Sequence, residues 1–264
     1  MLCLDVNFFR SDGRYRRAYR LDGFALPPHE LRRAPRLLPV PLDGRLRRLE
    51  RAAAAAGLAP WCDWVVEESA RRFEPRLLET RVSRTTQLLG YWQDERYFAD
   101  VAAQVRGDLA FRPEADAGVR GLEARIADCE AVAVHCRRLF GGTAGDPASA
   151  KNALPEGYYL KAVEAIAARV ARPVFFCFAD DPSWLAARWP RRWPLTVVHH
   201  AEPRGELLDL RLMSRCRHFV IANSTFGWWG AWLGARTGKL VIAPRSKGLQ
   251  YEVTSASGWT EIDW

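Results

Sequence analysis

The stretch RHFVIANSTFGWWGAWLGARTGKLVIAP, residues 217–244, limits the fold more than any other part of the chain. Phe219, Val220 and Ile221 form an unbroken apolar run, the pattern of a strand buried on both faces. The run passes into Ala222-Asn223-Ser224-Thr225, and Asn, Ser and Thr are the residue types that begin helices. Phe226 to Leu233 then reads as a helix with three tryptophans, Trp228, Trp229 and Trp232, which pack it onto a sheet. Gly234 and Gly238 mark its end, and Leu240 to Pro244 is a second buried strand. A strand, polar turn, helix and strand in this order form a βαβ unit. The free amides and positive dipole end of its helix face the crevice where phosphates bind.

The same alternation extends upstream. Strands are expected at 131–136, 173–178, 195–199, 219–222 and 240–243, with helices at 158–171, 183–188, 205–216 and 226–235. This predicts a parallel, doubly wound α/β domain over 129–264. Residues 1–128 form the other domain. Its first 60 residues are basic and broken by Pro27, Pro28, Pro35, Pro39 and Pro41, with a short helix expected over 45–57. A helix is also expected within 84–111, carrying Phe98, Val101, Ala102, Val105 and Leu109 as its apolar positions.

Composition excludes several classes. No apolar stretch reaches the roughly 18 residues of a membrane span, and the start has no signal-peptide pattern. A cytoplasmic protein is expected, with peripheral association at the inner face of the membrane left open. The six cysteines (Cys3, Cys62, Cys129, Cys136, Cys177, Cys216) contain no C-x-x-C pair and read as reduced thiols. The net charge is +8, yet only four of the 39 basic residues are lysines, an arginine bias that a GC-rich genome also produces. With no recognition-helix, RNP or zinc-finger signature, nucleic acid is not an expected partner. Arginine does suit bidentate binding of phosphate.

The chemistry-bearing residues fall at strand ends. AVAVHC runs into Arg137-Arg138, and two arginines beside a buried strand need either acidic neighbours or an anionic ligand. Asp180 and Asp181 end the next strand, on the side where open α/β sheets bind ligands, and Asp181 or Ser183 equally suits a helix cap. Asp209 precedes a helix rich in apolar residues and reads as a surface acid. His199 and His200 follow a strand and, facing opposite sides, read as structural. No D-x-D motif or His/Cys/Asp cluster has metal spacing, so metal-independent chemistry is expected, with no cofactor.

NSTFGWWGAWL resembles the NSTFSWWGAWL stretch of the glycosyltransferase family 11 α-1,2-fucosyltransferases, and DLRLMSRC resembles the D-L-x-L-M-S-x-C passage before it. His135-Cys136-Arg137-Arg138 is similar to the family's H-x-R-R-x-D motif, with Leu139 and Phe140 where the family has a small residue and an aspartate. Further likenesses are LDVNFF, RAYRLDGF and GYWQDERYF. The resemblance implies a GT-B-like fold of two Rossmann-like domains and an inverting transfer of L-fucose from GDP-β-L-fucose to a galactoside hydroxyl in α-1,2 linkage. It implies Arg137 as the catalytic residue on the donor diphosphate, with His135 near the guanine and Asp209 accepting the guanine N–H groups. It makes Arg138, Asp180, Asn223, Ser224, Thr225 and Phe226 substrate-binding. The general base stays unassigned. Family members begin with a strand and a G-G-L-G-N-Q-M-F-Q-Y-A loop-helix, and the likeness starts just after it. The expectation is therefore an N-terminal domain lacking that strand and loop-helix, with a truncated homologue that only binds nucleotide or glycan as the alternative.

Overall fold

A computed structural model describes residues 3–5, 19–27, 30–32, 56, 63–67, 73–80, 86–139, 153–200, 205–245, 256 and 258–264. Apart from residue 56, the helix expected over 45–57 lies outside these residues. The chain divides into two compact units, one of 1–22 and 26–108, the other of 23–25 and 109–264.

The first unit contains two parallel strand pairs: β1 (Cys3–Asp5) with β2 (Glu30–Arg32), and β3 (Asp63–Val66) with β4 (Thr86–Leu89). Helix α1 (Arg76–Glu79) lies in the connection from β3 to β4. The single helix expected within 84–111 is not formed. Residues 86–89 are strand, Glu95–Tyr97 and Ala99–Val101 are 3-10 turns, and only α2 (Ala102–Asp108) is α-helical. A buried carboxylate sets this break: Glu67 accepts the amides of Tyr91 at 2.7 Å and Trp92 at 3.0 Å. Trp92 is held at φ 50°, a left-handed value that no helix interior tolerates. Asp94 then starts the next turn by accepting the Arg96 amide at 3.0 Å while pairing with its guanidinium.

The second unit is a six-stranded sheet, parallel throughout, in the order β10-β9-β8-β5-β6-β7. Its strands are β5 (Glu130–Cys136), β6 (Pro173–Ala179), β7 (Leu195–Val198), β8 (His218–Val220), β9 (Val241–Pro244) and β10 (Thr260–Ile262). Its helices are α3 (Ala117–Ala127), α4 (Glu156–Ala167), α5 (Pro182–Ala186), α6 (Gly205–Arg215) and α7 (Thr225–Leu233). Five of the strands and four of the helices stand close to where the sequence pattern puts them. Helix α3 and strand β10 were not foreseen.

Alternation along the strands divides the apolar core between the two faces of the sheet. Val132, Val134 and Cys136 point with Phe175 and Cys177 toward α4 and α5. Ala131 and Ala133 point with Phe176 and Phe178 toward α3, α6 and α7. Caps fix the helix starts: Asp116 accepts the Val119 amide at 2.9 Å, and Asp181 accepts that of Trp184 at 3.1 Å. Cys136, Cys177 and Cys216 are buried free thiols, and burial pushes Cys136 up to about 12. Trp228 and Trp232 stack with their rings 9° from parallel, and Trp232 is fully buried.

Two buried polar groups carry testable consequences. The hydroxyl of Tyr158, a fully buried residue of α4, donates to the Ile221 carbonyl at 2.6 Å. Tyr158→Phe should therefore destabilise the fold by about 1–3 kcal/mol, seen as a lower denaturant midpoint with an unchanged slope. An unchanged midpoint would show that the hydroxyl contributes nothing. His135 in β5 is buried, and among the described residues its Nδ1 has no hydrogen-bond partner. Burial, reinforced by the nearby Arg137 charge, lowers its pKa from 6.5 to about 3. The unfolded chain then takes up a proton that the folded chain refuses. Stability supplied by the neutral ring is complete above pH 6.5 and is lost as pH falls from 6.5 toward 3. The slope is about 1.4 kcal/mol per pH unit. Replacing His135 with Asn should remove that one-proton slope from urea titrations run across the window.

Candidate functional site

The strand order places a chain reversal between β5 and β8. From β5 the chain moves outward through β6 to β7, then returns to lay β8 on the other side of β5. Connections leaving the carboxyl ends of two such strands diverge, and the gap between them is where open α/β sheets hold ligands. Strand β5 delivers Arg137 and Arg138 to this gap, and β8 delivers Asn223, Ser224 and the start of α7.

On the β8 side, Ser224 stands in extended backbone at the N-cap of α7, and its hydroxyl makes no capping bond. The first backbone bond of the helix runs from the Trp228 amide to the Ser224 carbonyl at 3.0 Å. The amides of Thr225, Phe226 and Gly227 therefore end the helix without acceptors in the described chain. Thr225 is exposed, Phe226 is half-buried and Asn223 is buried. These amides and the helix dipole present partial positive charge to the gap.

On the β5 side, Asp180 organises the turn. From the end of β6 its carboxylate accepts the backbone N–H of Arg138 at 2.9 Å and of Leu139 at 2.7 Å. The same carboxylate meets Arg137 Nη1 at 3.3 Å. Asp180 thus stands as a structural acceptor that aims Arg137. The Arg137 side chain stays 39% exposed, enough for it to meet an anion from solution. Arg138 is placed otherwise: its guanidinium lies 3.8 Å from the centre of the Trp184 ring, and Arg188 stacks on the same ring at 4.8 Å. Of the arginine pair, Arg137 has the acidic neighbour and Arg138 an aromatic one.

His135 joins the two sides. Its ring lies 5.4 Å from that of Phe226, and a Cβ at Gly227 would fall 2.5 Å from Nδ1. Only glycine permits α7 to start this close to β5. The neutral imidazole also suits the positive end of a helix. Asp209 sits apart from this cluster, in the second turn of α6, where it pairs with His200 beyond the carboxyl end of β7. Burial raises its pKa and the His200 hydrogen bond opposes that rise.

Gly227, Trp184 and His200 were not singled out for the site by sequence reasoning. Gly227 had a signal, since glycine replaces serine there in an otherwise close match to the family stretch. Trp184 and His200 had none, because their partners lie 46 and 9 residues away. Among the described residues no group of three or more His, Cys, Asp or Glu side chains is placed to hold a metal ion. Likewise among the described residues, no helix is long and apolar enough to cross a membrane.

Comparison with known proteins places this arrangement in a family. The model of Glycosyl transferase family 11 matches residues 68–263. The O-antigen biosynthesis glycosyltransferase WbnK of Escherichia coli is 36% identical over 114 residues, covering 42% of this chain and 37% of that protein. An alpha-1,2-colitosyltransferase of Escherichia coli is 30% identical over 187 residues, covering 66% of this chain and 62% of that protein. The galactoside 2-alpha-L-fucosyltransferase Sec1 of Mus musculus is 32% identical over 133 residues, covering 46% and 34%. The chain thus spans between about a third and three fifths of the length of these relatives. Because the family match takes in well over half of the 264 residues, the chain belongs to glycosyl transferase family 11.

Proposed function

We propose that this protein transfers L-fucose from GDP-β-L-fucose to a galactoside hydroxyl, forming an α-1,2 linkage with inversion and without a metal. One observation carries the reading. The partly exposed Arg137 follows β5 and the acceptor-free amides open α7 after β8, one on each side of the β5/β8 gap. A diphosphate is the ligand that such a donor set fits. The α-1,2 linkage is supported by two relatives whose names carry it, the colitosyltransferase and the fucosyltransferase.

In the proposed reaction the acceptor hydroxyl attacks the anomeric carbon from the face opposite the diphosphate. The new C–O bond forms as the bond to the GDP oxygen breaks, and the hydroxyl proton leaves to a base or solvent. Negative charge grows on the departing diphosphate. Arg137 and the α7 amides therefore bind the transition state more tightly than the ground state. They do what a divalent cation does in other sugar transferases. Asp209 receives the guanine N–H groups, and His135 lies near the nucleotide. The reading also carries a GT-B-like pairing of two domains, a cytoplasmic site of action and peripheral contact with the inner membrane face. A second donor reading is favoured by the relative that covers 66% of this chain, whose name specifies colitose rather than fucose.

Calorimetric titration with GDP should show binding without added metal, unchanged by EDTA. Binding that appears only with Mg²⁺ or Mn²⁺ removes the arginine and amide account. Arg137→Ala should weaken GDP binding by about 1.5–3 kcal/mol, and turnover by at least as much. Arg137→Lys should restore only part, since an ammonium lacks the bidentate fork. Parent-like affinity and turnover in the Ala variant would take Arg137 out of the site. With labelled donors, transfer of colitose in preference to fucose would favour the second reading, whereas GDP binding without transfer of either sugar would leave a binding protein.

A further inference from the structure

Asp209 and His200 form a pair that the sequence does not announce. His200 Nδ1 lies 2.6 Å from Asp209 Oδ1, and the two side chains keep only 19% and 15% of their surface. The backbone around His200 is fixed as well. A side chain on Gly205, the first residue of α6, would run into the His200 carbonyl, so the helix start is seated directly on that peptide. The second oxygen of Asp209 accepts no hydrogen bond from the described chain. Helix α6 packs on the face of the sheet that also receives Phe226, near His135, and β7 lies two strands from β5. Strand spacing puts the pair roughly 10 Å from the end of β5.

We propose that His200 is a positioning residue for nucleotide-base selection: its Nδ1–H holds the Asp209 carboxylate in one orientation, leaving Oδ2 to meet the paired N–H donors of guanine. This rests on the donor reading above. Guanine offers two adjacent donors, N1–H and the N2 amino group, and a fixed carboxylate accepts both. Uracil offers one N–H between two carbonyl oxygens, which such a carboxylate repels. The hydrogen bond does more than orient. Burial favours the protonated acid at Asp209, and His200 counters it, with His199 acting in the same direction and Glu206 against it. Cys177 on β6 is a further titratable neighbour, and the nearby Arg211 of α6 is taken up by Glu123 of α3. Removing His200 therefore raises the pKa of Asp209. Because the ionised form is the one that accepts guanine, affinity is present above that pKa and lost as pH falls through it. The loss moves to higher pH when His200 is gone.

The test uses the full chain, with GDP and UDP as probes across pH 5–8, alongside the carbon-13 carboxyl titration of Asp209, which needs no ligand. His200→Ala should weaken GDP by about tenfold or more, leave the weak UDP binding unchanged and move the Asp209 titration upward. His200→Asn, whose amide can donate to the same oxygen, should recover most of the GDP affinity. Should the Ala variant not fold, His200→Phe keeps the ring volume without the donor and gives the same comparison. A variant lacking the donor that keeps the parent's GDP preference and Asp209 titration overturns the proposal. So does an Asn variant no better than Ala, or equal losses for GDP and UDP. A parent that binds no GDP while Asp209 still shifts with His200 would overturn the donor reading and the base-selection role together, leaving only the pair's electrostatics.

Discussion

The return of the chain from β7 to the far side of β5 is the constraint on which the second unit turns. A parallel strand can be joined to its neighbour only by a crossover, and each crossover lays a helix on one face of the sheet. Two crossovers in one direction place α4 and α5 on the first face. The reversal sends α6 to the other, where it joins α3 and α7. Both faces of the central strands are thereby covered, which is why β5 and β6 are apolar almost throughout. The same reversal leaves the ends of β5 and β8 without a shared connection. The gap follows from topology before any side chain is placed in it.

The gap gains its character from charges held at its rim. Asp180 spends its carboxylate on two backbone amides and one guanidinium, which fixes the turn after β5 and points Arg137. The Arg137 guanidinium meets this carboxylate at 3.3 Å while its side chain stays 39% exposed. Opposite it, α7 contributes amides rather than side-chain charge. Fixed dipoles of this kind need no reorganisation when charge develops near them. Between them His135 stays neutral because both burial and Arg137 oppose its protonation. A charged imidazole there would repel the arginine and lose its hydration with no compensating bond.

Much of this was legible in the sequence. The apolar runs of β5, β6, β8 and β9 exceed what a half-exposed strand needs, and their alternation with helical patterns specified a parallel sheet. The polar turn Asn223-Ser224-Thr225 announced the helix start, and Arg137 and Asp180 were identifiable as strand-end residues. Segment 84–111 was misread because the 3.6-residue spacing of Phe98, Val101, Ala102, Val105 and Leu109 extends past the real helix. The Glu67 carboxylate that breaks it is more than twenty residues away in sequence. Strand β10 escaped because three residues show no period, and α3 because its apolar face is narrow and interrupted by glycine and charge.

What the sequence determined by itself was the kind of elements, their order and the residue types at each strand end. These depend on local patterns: apolar period, capping residues and glycine punctuation. What only the tertiary structure decided was partnership. That Asp180 serves the turn after β5, that Arg138 stacks on Trp184, and that Asp209 pairs with His200 follow from strands and helices brought side by side by the crossovers. Each of these contacts joins residues whose separation along the chain carries no information about their distance in space. Their energies depend on burial, which exists only once the sheet has closed over its helices.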